Sequence, residues 1–234
     1  MINTKYQIKY SLNKDIWNWI DALQNPFMEF NWVENIDNQE DLKIIKQISG
    51  LKKQGATQTL KPYLEKQKED PNSRLNKFIK TVEKDFDTKY QNACKILEKI
   101  TKHPVVSKNF TFYITTFPRC PYFYDSYEIF MYDYPWSTPI DGFLHEGLHF
   151  QFTHFWGDDQ NSPVSKLNDD QFDYLKEALT VVLDGELKPI ISKPDQGYPN
   201  QEEYRKLLHN HWGKYHDFNK LIDFGLSKLK DFIK

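Results

Sequence analysis

The chain has 234 residues, 39% of them hydrophobic and 16% aromatic, which is enough apolar material for a substantial core in one domain or in a small domain with an appendage. With a net charge of -2 and a pI near 6.4 it has no strongly basic character, so neither nucleic acid nor an anionic membrane is expected as its main partner. The first residues lack an apolar signal core, no run of about 18 apolar residues follows, and the two cysteines, Cys94 and Cys120, form no disulfide framework; these features predict a cytoplasmic protein with free thiols.

In chain order, Lys5 to Tyr10 has the pattern of a strand, and Asn13 to Gln24 carries Ile16, Trp17, Ile20 and Leu23 at helical spacing before Asn25-Pro26. From Asp37 to Lys102 the chain is rich in Lys, Glu and Gln with helical periodicity, and breaks are expected near Gly50, Gly55 and Pro71-Asn72-Ser73. Leu75, Phe78, Ile79, Val82, Phe86, Tyr90, Cys94, Leu97 and Ile100 then recur mostly every three or four residues, which predicts one long amphipathic helix ending at His103-Pro104. Its apolar stripe has no sustained heptad, so it reads as intramolecular core before it reads as a coiled-coil surface.

Phe110 to Phe117 and Tyr127 to Tyr132 are rich in aromatic and β-branched residues and are bounded by prolines, the pattern of strands. Twelve aromatic residues lie between Phe110 and Trp136, either as sheet core or as a core whose outer face also lines a cleft. The edge of such a sheet is a natural place for an extended peptide to add by main-chain hydrogen bonds.

Thr138-Pro139-Ile140-Asp141 combines a capping hydroxyl, a proline suited to the first helical position and an acid that completes a reciprocal capping box. The helix that starts there carries Leu144, Leu148, Phe152 and Phe155 on one stripe and closes at Gly157-Asp158-Asp159. Within it stands His145-Glu146-Gly147-Leu148-His149. Histidines four residues apart on a helix share a face, so both imidazoles reach one Zn²⁺, while Glu146 lies beside the water that the metal polarises. The motif therefore suggests a zinc hydrolase in which Glu146 takes a proton from water and passes it to the leaving nitrogen. The other reading is an exposed polar helix face. Gly147 costs about 1 kcal/mol relative to alanine in a helix, and its missing side chain admits a packed segment or a substrate.

A catalytic zinc takes a third protein ligand. His154, five residues beyond His149, is about 140° round the helix and points away. The H-E-x-x-H-x-x-G-x-x-H pattern fails too, because Phe152 occupies the glycine position and Phe155 that of the last histidine. Asp169 to Gly185 reads as a second helix with a stripe of Phe172, Leu175, Leu179, Val182 and Leu183. Glu177 lies among these apolar neighbours and is the expected third ligand, with Asp173 as the fallback and a solvated or Lys176-paired Glu177 as the alternative. Gln201 to Lys234 reads as helical and holds a cluster of His209, His211 and His216.

From Tyr127 to Asp184 the chain resembles the gluzincin, thermolysin-like branch of the zincin metallopeptidases, in which an H-E-x-x-H helix is followed by a helix bearing a glutamate ligand. The resemblance implies an α+β, mostly helical fold with a small aromatic-rich sheet before the active-site helix. It implies one Zn²⁺ on His145, His149 and Glu177, with Glu146 as general base, and a peptide or small amide as substrate. The chain reads as a mainly helical N-terminal region, 1–104, and a zincin-like catalytic region, 105–234, together forming one unit. By the same analogy His209, His211 or Tyr204 donates a hydrogen bond to the oxyanion. Two features depart from the family: the interval from His149 to Glu177 is longer than is typical, and Val181 stands where an aspartate often follows the ligand glutamate. A zinc amidohydrolase acting on something other than peptides and an inactive binding protein of the same fold are the alternative functions.

Overall fold

A computed structural model describes residues 4–25, 32–134, 137–184 and 197–233. In it, strand β1 (Lys5–Tyr10) pairs in parallel with β2 (Asn109–Ile114), Lys5 lying opposite Asn109 and Tyr10 opposite Ile114. Strand β2 pairs in parallel with β4 (Glu128–Met131), and β4 pairs antiparallel with the short β3 (Tyr122–Phe123), giving the sheet order β1-β2-β4-β3. Parallel neighbours need a long crossover. Among the described residues it carries four α-helices, α1 (Leu12–Gln24), α2 (Gln39–Ile48), α3 (Lys53–Glu69) and α4 (Arg74–Thr101), and a 3-10 turn, Trp32–Asn35.

The pairing of β1 with β2 makes the two compact units of the chain interleaved instead of successive. One comprises Lys5–Asp87 and Asn109–Pro135; the other comprises Met1–Thr4, Thr88–Lys108 and Trp136–Lys234. The boundary read near residue 104 lies within the stretch Thr88–Lys108, and α4 contributes to both units.

In the first unit, Ile16, Trp19 and Ile20 of α1 join Ile45 and Ile48 of α2 and Ala56, Leu60 and Leu64 of α3 in one buried cluster. The alternation of β2 places Phe110, Phe112 and Ile114 in the core, where Phe86 of α4 meets Phe112 edge-on at 4.5 Å between centroids. The expected strand through Phe117 stops at Ile114 because Thr115 and Thr116 turn their hydroxyls onto Asp15, at 2.7 and 2.8 Å. Gly55 interrupts nothing: it lies inside α3, and the break falls at Ser49–Lys52, where Gly50 adopts φ +80. In the aromatic segment Phe110, Phe112, Phe117, Phe130 and Tyr132 are buried core, Tyr113, Tyr122, Tyr124, Tyr127 and Tyr134 are half-buried and Phe123 is exposed; Trp136 lies outside the described residues.

In the second unit α5 (Pro139–Phe152) starts as the sequence predicts: Asp141 N–H donates to Thr138 Oγ1, and Thr138 N–H donates to Asp141 Oδ2 at 2.8 Å. It continues as one π-helical turn, Thr153–Gly157. Helix α6 (Asp169–Ala178), capped by Asn168, tightens into a 3-10 segment, Leu179–Leu183; its expected stop, Gly185, lies outside the described residues. The C-terminal region forms α7 (Glu202–Tyr215) and α8 (Phe218–Leu229), separated at His216, which adopts φ 46, and Asp217, which caps α8. The fold is thus α+β and mostly helical with a small sheet, and no helix among the described residues is long and apolar enough to cross a membrane.

Candidate metal centre

Helix α5 is held by packing on both sides of the motif. Leu144 and Leu148 are buried, and Gly147 faces α4, where a Cβ would stand 2.7 Å from Leu97 Cδ1. The glycine therefore serves close helix packing, one of its two expected roles. Two residues past the motif, fully buried Gln151 accepts from Val106 N–H at 2.9 Å and donates to Thr101 Oγ1 at 3.1 Å and to the Pro104 carbonyl at 3.2 Å. It ties the end of α4 and the chain after it to α5, and gives both polar atoms of the buried amide a partner.

On this support His145 and His149 project one helical turn apart, and their Nε2 atoms are 3.0 Å from each other. From α6, Glu177 sends Oε2 to 3.2 Å from His149 Nε2 and 3.4 Å from His145 Nε2. The expected third residue thus joins the pair. Its other oxygen, Oε1, faces the buried Lys176 ammonium at 3.9 Å, which leaves Oε2 as the atom turned to the imidazoles. Glu146 completes the group: among the described residues, ligand atoms of His145, Glu146 and His149 lie within 4.8 Å of one another, an arrangement that can hold a metal ion. Either carboxylate can supply an oxygen by distance, and Glu177 Oε2 closes a triangle with the two nitrogens at 3.2 and 3.4 Å.

The electrostatics suit that role. Burial pushes the His149 imidazole down to about 4, against the pull of the Glu177 carboxylate, and His145 adds to the lowering. At neutral pH His149 is therefore a neutral nitrogen donor, the form that a metal ion requires. Burial alone would raise the Glu177 carboxyl, yet the imidazoles of His149 and His145 hold it well below the usual carboxylate range. The donor set is two imidazole nitrogens, that of His149 neutral, and one carboxylate oxygen. His149 and Glu177 are buried, whereas the side chain of His145 is 26% exposed and Glu146 is half-buried, so the open side of the centre is that of His145 and Glu146.

Other predicted residues lie elsewhere. His154 is half-exposed and faces Asp158 at 3.9 Å, in keeping with its position round the helix. Asp173, the fallback ligand, binds Lys176 Nζ at 2.6 Å. Tyr204 is fully buried beside Tyr174 and Phe232, with ring centroids 5.5 and 5.0 Å away, and burial raises its phenol above the usual range. His211 stacks on Phe224 at 4.3 Å, and His209 is exposed on α7. These positions give Tyr204 and His211 packing roles. The sequence reading overlooked Arg205, which reaches the main chain of Glu177 from α7. A compositional signal existed: of 31 basic side chains only three, Arg74, Arg119 and Arg205, are arginines. All three face an aspartate, respectively Asp133, Asp21 and Asp184.

No protein-family model, no curated protein and no solved structure matches this chain.

Proposed function

We propose that the chain is a zinc-dependent hydrolase of amide bonds, a peptidase by first assignment, with His145, His149 and Glu177 as ligands and Glu146 as general base. One observation carries this reading. The three donor atoms form a triangle with edges of 3.0, 3.2 and 3.4 Å. A tetrahedral zinc with bonds of about 2.05 Å would space its ligands by roughly 3.3 Å, so the triangle matches one face of that tetrahedron. Two nitrogens and one carboxylate oxygen are also a donor set used by catalytic zinc.

Zinc, when bound, supplies Lewis-acid chemistry, lowering the pKa of water and polarising a carbonyl. The chain's own residues do the rest. His145 and His149 orient the centre through a rigid helix, and Glu177 neutralises part of its charge from α6. Glu146, on the exposed side, accepts the proton of the attacking water and returns it to the leaving nitrogen, which balances the cleavage into an acid and an amine. A purely structural zinc site has no use for a base at this position. Assignment of a peptide substrate rests on the resemblance of Tyr127 to Asp184 to the thermolysin-like enzymes.

The test is a pair of measurements on purified protein. Elemental analysis of the zinc-reconstituted wild type is expected to give about one equivalent per chain. Glu146→Gln keeps every ligand, so zinc content should persist while hydrolysis, screened on peptides and small amides, falls by about 10² to 10⁴. Absence of metal after reconstitution, or an equally active Glu146→Gln, would refute the assignment. Turnover of small amides with peptides untouched would shift the substrate class and keep the chemistry.

A further inference from the structure

We infer that Arg205 is a positioning residue for the metal centre: from α7 it fixes the main chain of Glu177, so that the third ligand is set before any ion arrives. This inference rests on the hydrolase reading above, because it takes Glu177 as a ligand.

The argument starts at the end of α6. Glu177 lies in the last turn of this helix, just before the backbone tightens into the 3-10 segment from Leu179, and carbonyls at such a junction lose regular helical partners. The Glu177 carbonyl accepts from Leu179 N–H and collects side-chain donors as well. Thr180 Oγ1 donates to it at 2.7 Å, and Arg205 Nη1 donates to it at 3.1 Å. The same Nη1 donates to Thr180 Oγ1 at 2.7 Å, closing a three-cornered network. Thr180 is fully buried and Arg205 is 5% exposed, so water does not compete for these bonds. The second guanidinium nitrogen, Nη2, stands 3.6 Å from Asp184 Oδ2 at the far end of the 3-10 segment. One planar fork therefore spans the segment from the ligand residue to its end, a geometry that lysine cannot reproduce.

A further residue seats the arginine. Gly197 adopts φ +61, and a Cβ there would lie 2.5 Å from both Cδ and Nε of Arg205. Only a residue without a side chain lets this backbone lie against the arginine stem. The consequence for the centre is geometric. His145 and His149 come from α5 and Glu177 from α6, so the triangle exists only while the end of α6 keeps its place. A chain of bonds from Arg205 to the Glu177 carbonyl controls that place and touches neither the carboxylate nor the imidazoles.

A residue that merely stabilised the fold would lower stability without changing the affinity of molecules that remain folded. The experiment therefore measures metal-free unfolding by urea, zinc affinity by competition with a chromophoric chelator, and the visible spectrum of the cobalt(II) protein. The variants are Arg205→Lys, which keeps the charge and loses the fork, Thr180→Val, which removes the bridging hydroxyl at constant shape, and Gly197→Ala, which displaces the arginine. Arg119→Lys, altering an Arg-Asp pair in the unit that lacks the centre, is the control.

Folded Arg205→Lys and Thr180→Val are expected to bind zinc about 10 to 100-fold more weakly, the range for residues that orient a ligand, with an altered cobalt spectrum. Gly197→Ala should move in the same direction and Arg119→Lys should match wild type. Unchanged affinity and spectrum in folded Arg205→Lys and Thr180→Val would overturn the inference while the hydrolase reading stands. If Arg205→Lys does not fold, Thr180→Val decides by the same criteria. A wild type that binds neither zinc nor cobalt would overturn the hydrolase reading and this inference with it.

Discussion

Replacing Glu177 by glutamine keeps the volume of the side chain and removes the charge from one corner of the donor triangle. The energy at stake follows from the geometry. The free energy of zinc binding in four-ligand protein sites, roughly 10 to 16 kcal/mol, corresponds to roughly 2.5 to 4 kcal/mol per ligand. Loss of one corner is therefore expected to weaken retention by about two to three orders of magnitude, glutamine falling toward the lower figure because its carbonyl remains a weak donor. Stability of the metal-free protein should move much less. Glu177 is a buried carboxylate, 7% exposed at the side chain, so the lost contacts with the imidazoles are offset by the removal of a charge that is costly to bury. The assay is chelator competition at pH 7 on wild type and Glu177→Gln, with urea unfolding of the metal-free forms alongside. Asp173→Ala and His154→Ala serve as internal controls, because those side chains face Lys176 at 2.6 Å and Asp158 at 3.9 Å and should leave affinity nearly unchanged. A Glu177→Gln that holds zinc as tightly as wild type, or an Asp173→Ala that loses it, would refute Glu177 as the third ligand.

Burial raises the Asp15 carboxyl to about 6 from 3.8, although Thr116 N–H and the hydroxyls of Thr115, Thr116 and Tyr10 donate to it and pull it down. A raised carboxyl contributes stability that is fully present below pH 3.8 and lost as pH rises through 6, about 3 kcal/mol in all. Urea unfolding of Asp15→Asn against wild type should therefore show the variant gaining about 2 to 2.5 kcal/mol in relative stability between pH 4 and pH 7; a flat or opposite trend would mean the hydrogen bonds outweigh burial. Gln151→Leu removes the acceptor of the Val106 N–H, while Thr101 Oγ1 keeps its bond to the Leu97 carbonyl, and should cost about 1 to 3 kcal/mol for the group left unsatisfied, read by the same unfolding assay. Gly147→Val drives a side chain into Leu97 and is expected to destabilise by about 1 to 3 kcal/mol; a variant as stable as wild type would show that Leu97 swings clear.

Local patterns in the sequence already specified the parts of the centre that depend on neighbours in the chain. The capping box at Thr138 and Asp141 starts α5, and the four-residue spacing of His145 and His149 places both imidazoles on one face, because helical periodicity converts spacing directly into direction. The same periodicity turned His154 away and put Glu177 on the apolar side of α6. Some element ends were less legible. Nothing local stops β2 at Ile114; the hydroxyls of Thr115 and Thr116 do so by bonding Asp15, one hundred residues earlier. The union of β1 with β2, and with it the interleaving of the two units, likewise depends on strands separated by four helices.

Tertiary structure alone decided which oxygen of Glu177 meets the histidines, that Leu97 fills the space left by Gly147, and that Tyr204 packs on Tyr174 and His211 on Phe224. It also revealed Arg205, whose hydrogen bonds run to a backbone carbonyl 28 residues away. A backbone carbonyl is present at every position and leaves no mark in the sequence. Spacing fixes the direction of a side chain relative to its own helix axis, whereas the distance between two helices is set by every side chain packed between them.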